Sequence, residues 1–166
     1  GNPSSSHAPG REAREAVERA RGEVAGLLGC SAEEVVFTGG GTESNNHAIL
    51  GVVKASGIRS AHVITSAVEH PAVTEVCDLL AASSGCSVTL LPVDGTGMVD
   101  PAELERAIRP ETMLVTVMHA NNEVGTIQPI AELSAVARKH HIPFHTDAAQ
   151  SVGKVGTRVD DLGVDL

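Results

Sequence analysis

Thr38-Gly39-Gly40-Gly41-Thr42-Glu43-Ser44-Asn45-Asn46 is the stretch on which the fold turns. Three glycines follow a β-branched run, Val35-Val36-Phe37-Thr38, and the polar segment passes into the apolar Ala48-Ile49-Leu50. Strand, glycine turn and helix start form a geometry in which unpaired backbone N–H groups and the helix dipole face an anion. Thr42 and Ser44 add hydroxyls that can donate to it or cap the helix. An ordinary turn needing positive φ would use the same glycines, so the loop alone leaves both readings open. It is not a P-loop, because no Lys-Ser or Lys-Thr closes the glycines, and the G-x-G-x-x-G dinucleotide spacing is absent. A phosphate held here would belong to something other than ATP or NAD.

Working outward, strands and helices alternate. Before the loop, Pro9-Gly10 introduces a helix with Ala13, Val17, Ala20, Val24, Leu27 and Leu28 at helical spacing, stopped at Gly29. A strand is expected over 34–38 and a helix over 42–55. The strand His62-Val63-Ile64-Thr65-Ser66 follows, then a helix opened by Pro71. Val88 to Val93 reads as a strand, and a short helix near 101–108 starts at Asp100-Pro101. Met113 to Met118 has no polar face and suits the middle of a sheet; a helix over Ile130 to His141 and a strand over Pro143 to Asp147 complete the run. The apolar alternation over 160–166 reads as entry into a further strand. The expected fold is α/β, a three-layer αβα arrangement around a mainly parallel sheet. Ligands bind at the carboxyl edge of such sheets. Four polar clusters belong there: Gly41-Thr42, Glu69-His70, Asn121-Asn122-Glu123 and Asp147-Ala148-Ala149-Gln150. A shared site is the better reading.

Composition narrows the partners. The 166 residues are 42% hydrophobic and 20% charged, as in folded globular proteins. The formal net charge of −9 argues against nucleic acid or an anionic membrane as the main partner, and no run is long enough to span a bilayer. With two Phe and no Tyr or Trp, the core must be built from Val, Leu, Ile and Ala. Cys30, Cys77 and Cys86 are odd in number and lack C-x-x-C spacing, which suggests neither a disulfide framework nor thiol-bound zinc and fits a reducing compartment. His140-His141, His145 and Asp147 match no zinc spacing and read as helix-terminal histidines followed by a strand; no metal is expected. Asn121 and Asn122 are either a turn pair or two amide donors to a ligand. Lys54, Lys139 and Lys154 offer no clear Schiff-base candidate.

Five separated motifs together resemble one family. Gly1-Asn2-Pro3-Ser4-Ser5, Phe37 to Asn45, Glu69-His70, Met118-His119-Ala120-Asn121-Asn122-Glu123-Val124-Gly125 and His145-Thr146-Asp147-Ala148-Ala149-Gln150-Ser151 occur in the order found in cysteine desulfurases and selenocysteine lyases, pyridoxal-phosphate enzymes of the class V aminotransferase group. The resemblance covers essentially the whole chain and implies that residues 1–166 are a fragment, truncated at both ends, of the large domain of a fold type I transferase. By that resemblance Gly41 and Thr42 hold the cofactor phosphate, and His70 stacks on the pyridine ring and assists proton transfer. Asp147 pairs with the pyridinium nitrogen, Gln150 bonds the phenolic oxygen, and Asn122 contacts cofactor or substrate near that oxygen. Asp147, a carboxylate at an apolar strand end, would otherwise be costly. The Schiff-base lysine in a Ser-x-His-Lys motif, the sulfur-accepting cysteine and the arginine that holds the substrate carboxylate are expected beyond Leu166. The Asp-x-Ala-Ala-Thr-Thr-Pro motif is expected before Gly1. The fragment is thus expected to be inactive by itself, with Cys30, Cys77 and Cys86 as structural thiols.

The implied activity is conversion of L-cysteine to L-alanine, with sulfur passed to an enzyme cysteine as a persulfide and on to an acceptor such as an iron–sulfur scaffold. The resemblance further implies a homodimer in full length and a cytoplasmic or organellar setting. Selenocysteine lyase, with the same cradle, stands second. A non-catalytic α/β domain binding a phosphorylated ligand is the reading from another class. It calls for a ribose-binding acid about 20 residues past the loop, and Arg59-Ser60-Ala61-His62 contains none. A purely structural protein leaves the four polar clusters unexplained.

Overall fold

The computed structural model describes residues 1–57 and 60–166, so Arg59 of the segment searched for a ribose-binding acid lies outside the described residues. Helices α1 (Ala8–Leu28), α2 (Gly41–Ser56), α3 (Pro71–Ser84), α4 (Pro101–Ala107), α5 (Ile130–Lys139) and α6 (Val159–Leu162) alternate with strands β1 (His62–Ser66), β2 (Ser87–Leu91), β3 (Thr112–Thr116) and β4 (Phe144–His145). Local chemistry sets the helix starts. In α1, α3 and α4 a proline occupies the first turn, where its missing N–H costs nothing, and the preceding side chain accepts a free N–H. Those acceptors are His7 for Gly10, His70 for Ala72 and Asp100 for Ala102. Gly10 must be glycine for space, because a Cβ there would fall on the carbonyl oxygens of Asn2 and Ser5. Gly29 ends α1 in the left-handed region at φ 76°.

The four strands form one sheet in the order β2-β1-β3-β4, and every pair is parallel. Period-two alternation sends neighbouring side chains to opposite faces. Val63 and Leu114 meet Ile49 and Val53 of α2 and Val73, Val76 and Leu80 of α3 on one side. Ile64 and Val115 meet Leu104 of α4 and Leu133 and Ala137 of α5 on the other. The sheet lies between two helical layers; its central strands β1 and β3 are buried on both faces, while the edge strand β2 stays partly exposed, with Leu90 60% exposed. Cys77 and Cys86 are buried in the first of these cores, where desolvation pushes both thiols up, Cys77 to about 12. They are inert structural residues.

The structure departs from the sequence reading at four places. Residues 35–38 form no strand: the Val35 N–H bonds back to the Ala32 carbonyl, and among the described residues no strand pairs with the segment. Val36 is 65% and Phe37 48% exposed, Arg21 donates to the Val35 carbonyl, and its guanidinium lies 5.0 Å from the Phe37 ring centroid. A β-branched run is suited to a pleat but cannot supply its own ladder partner. Residues 159–162 are helical rather than strand-like; only Asp165 and Leu166 run beside β4, both donating to the Phe144 carbonyl. Third, the strand expected over Pro143 to Asp147 is confined to Phe144–His145. The helix expected to reach His141 ends at Lys139, and His141 takes φ 57°.

Candidate cofactor site at the carboxyl edge of the sheet

Following β1 and β3 to their carboxyl ends leads to a cavity of about 220 Å³. Gly41, Thr42, His70, Asn122, Asp147 and Gln150, the six residues singled out in the sequence, all line it, together with Asn45, Ala72, Met118, Ala120 and Ala149. The glycine loop enters through the first turn of α2, whose cap, Gly40, makes no side-chain hydrogen bond. The N–H groups of Gly41, Thr42 and Glu43 meet no protein acceptor among the described residues, as the first donors of an uncapped helix do. Glu43 turns back to accept the Gly39 N–H at 2.6 Å, and Thr38 and Ser44 share a hydroxyl contact of 2.7 Å, which fixes the loop below those donors.

His70 does two things at once. Its Nδ1 accepts the Ala72 N–H at 3.1 Å as the cap of α3, so the ring is held and Nε2 carries the proton. The ring edge is exposed at the cavity. The two adjacent asparagines are separated by the structure. Asn121 is a turn residue: its amide nitrogen donates to the Val68 carbonyl at 3.0 Å, and its oxygen accepts the N–H groups of Glu123 and Val124. Asn122 is exposed and lines the cavity. Gln150 is exposed too, with its carbonyl oxygen accepting from Lys154 Nζ at 3.1 Å.

Asp147 follows the short β4. Its Oδ1 accepts the Ala149 N–H at 3.0 Å and its Oδ2 the Asn45 amide at 2.7 Å, while its backbone carbonyl takes the His119 N–H. No cationic side chain approaches it among the described residues, so a cation on the cavity side would complete its environment. Sequence reading missed Asn45 as a site residue. Its signal is position: four residues after Gly41 in a helix, it lies on the same face as the glycine.

Glu69 is the second residue whose part was not legible. Half-buried behind His70, it accepts the Met118 N–H with both oxygens, at 2.9 and 3.1 Å, and the Ser66 hydroxyl with one of them. It thereby ties the end of β1 to the segment after β3. Burial raises its carboxyl to about 7, against the pull of the Ser66 and Met118 hydrogen bonds, and the nearby Asp147 adds to the rise. His145, buried and bonded through Nδ1 to Thr116 Oγ1 at 2.8 Å, is pushed the other way, down to about 4, by desolvation. Of the histidines weighed as metal ligands, His140 bonds Glu105 at 2.9 Å and His145 bonds Thr116. Among the described residues no group of three potential ligands is placed to hold a metal ion.

The model of the class-V aminotransferase family matches residues 1–166. This chain belongs to the class-V aminotransferases. Members of that family depend on pyridoxal phosphate. Among curated relatives, a cysteine desulfurase IscS of Dictyoglomus turgidum is 54% identical over 166 residues, all of this chain and 42% of the relative. The human cysteine desulfurase is 49% identical over 167 residues, again across the whole chain but 36% of its own length. A solved structure described as SspA in complex with cysteine superposes with a TM-score of 0.96 at 44% identity, over 99% of this chain and 47% of that one. The chain spans less than half the length of each of these three proteins. The cavity suits the family cofactor in its donor set: free helix-terminal N–H groups for a phosphate, and a carboxylate without a cationic partner for a ring nitrogen.

Proposed function

We propose that the full-length protein is a pyridoxal-phosphate-dependent cysteine desulfurase, and that residues 1–166 are the part of its large domain that cradles the cofactor. The observation that carries this reading is the meeting, in one cavity, of the Gly41-Thr42 helix start, His70, Asn122, Asp147 and Gln150. The names of the relatives and of the cysteine-bound neighbour support the substrate. When bound, pyridoxal phosphate supplies an electron sink for the bonds around the substrate Cα. Gly41 and Thr42 bind its phosphate through backbone N–H groups and the Thr42 hydroxyl. Asp147 holds a proton at the ring nitrogen. Gln150 would bond the phenolic oxygen, and Asn122 would contact cofactor or substrate near it. His70 packs on the ring, and its free Nε2 moves a proton. L-Cysteine is converted to L-alanine while its sulfur passes to a cysteine thiol of the enzyme as a persulfide, and from there to an acceptor protein such as an iron–sulfur scaffold. The sulfur-accepting cysteine and the Schiff-base lysine belong to the part of the protein outside residues 1–166. By itself this segment is inactive. The working unit is a homodimer in a reducing compartment.

The test is alanine formation by the full-length protein from L-cysteine, measured together with persulfide. Equal amounts are expected, and absence of alanine contradicts the reading. Running the assay with L-selenocysteine separates a desulfurase from a selenocysteine lyase. His70→Asn refines it. The amide oxygen of asparagine caps α3 as the imidazole does, so unfolding midpoints stay where they are. Turnover falls by about 10²-fold or more, the usual contribution of a positioned acid–base group. A variant that loses stability and activity in proportion would show that His70 serves only the helix.

A further inference from the structure

Asn45 is a buried amide with one conspicuous partner. It is 4% exposed, it lines the cavity, and its Nδ2 lies 2.7 Å from Asp147 Oδ2 across 102 residues of sequence. A buried amide is costly unless bonded, and a hydrogen bond to an ionised carboxylate is the strong kind. The bond also has a geometric effect. With Oδ1 held by the Ala149 N–H and Oδ2 by Asn45, the Asp147 carboxylate is fixed in rotation. Asn45 stands one helical turn after Gly41, so the helix that opens with the free N–H groups also carries the residue that orients this carboxylate.

We propose that Asn45 is a positioning residue that acts through Asp147, giving the site its preference for a ligand with a protonated ring nitrogen. This rests on the cofactor reading above. The inference predicts an effect confined to the nitrogen. The probes are pyridoxal 5′-phosphate and its carbocyclic analogue, in which C–H replaces the ring nitrogen, each titrated into the full-length apoprotein. Wild type binds the nitrogen-containing probe more tightly. Asn45→Leu removes the donor at similar volume. It shrinks that preference by about tenfold or more while changing affinity for the carbocyclic analogue by no more than about twofold, as loss of one hydrogen bond to a charged group requires.

If Asn45→Leu weakens both probes equally, Asn45 is only packing and the proposal is overturned; an unchanged preference overturns it as well. Should the leucine variant fail to fold, Asn45→Ala is measured in the same way and judged by the same two outcomes. A wild-type protein that binds pyridoxal phosphate without any preference between the probes rejects the role of Asp147 and this inference with it. Failure to bind either probe rejects the cofactor reading itself.

Discussion

Asp147→Asn is expected to lower turnover of L-cysteine by the full-length protein by about 10²- to 10³-fold, the scale on which a preorganised charge contributes to a transition state. The pyridoxal phosphate stays bound. Two hydrogen bonds hold the carboxylate, from Asn45 at 2.7 Å and the Ala149 N–H at 3.0 Å. Neither needs a charge on residue 147. An asparagine oxygen can keep one of them, and the shape of the pocket is retained. The negative charge that, in the proposed function, keeps a proton on the ring nitrogen is lost. Cofactor content and unfolding midpoint should therefore match wild type while turnover collapses. A fall of less than about tenfold, under roughly 1.4 kcal/mol of barrier, would mean that Asp147 is a turn residue.

The second large effect lies in stability against pH. In the folded protein burial raises Glu69 to about 7, from an ordinary value of 4.5. Its proton is thus bound more tightly folded than unfolded, and this stabilisation, complete below pH 4.5, is lost as pH rises through 7. The loss amounts to about 3 kcal/mol over that window. His145 runs oppositely. Lowered to about 4 from 6.5, it disfavours the folded state in acid and gives stability back as pH rises across that window. Buried His62 and His119, both lowered by desolvation, act in the same direction as His145. In wild type the two trends oppose one another. Glu69→Gln removes one of them. Its amide oxygen still accepts the Met118 N–H, so the fold is kept, and the histidine trend stands alone. Urea unfolding from pH 4.5 to 7.5 should show the variant gaining on wild type by about 3 kcal/mol as pH rises. Parallel curves would show that Glu69 is ionised throughout.

The two effects also show where the sequence was readable. The sheet was legible because its central strands carry apolar residues on both faces; Val63-Ile64 and Leu114-Val115 leave no other environment for themselves. The clusters holding His70, Asn122, Asp147 and Gln150 could be grouped because they follow β1, β3 and β4, whose carboxyl ends a parallel sheet brings together, whereas Gly41 opens α2 after a segment that joins no strand. The contacts that tune the site were not. Asn45 reaches Asp147 over 102 positions, and Glu69 reaches the Met118 N–H over 49. No local pattern marks a side chain whose partner is a remote carboxylate or a remote backbone group. Asn121 and Asn122 look alike in sequence; only the placement of the Val68 carbonyl makes one a turn residue and the other a cavity residue. The run Val35-Val36-Phe37-Thr38 misled for the converse reason, since its residue types fit a strand while no strand pairs with it among the described residues.

The most direct measurement is the visible absorption of the purified full-length protein before and after borohydride reduction. A cradle built from Gly41, Thr42, His70, Asn122, Asp147 and Gln150 predicts yellow protein whose colour is lost on reduction, with the cofactor left covalently attached to a lysine outside residues 1–166. Colourless protein that takes up no added pyridoxal phosphate would contradict the account.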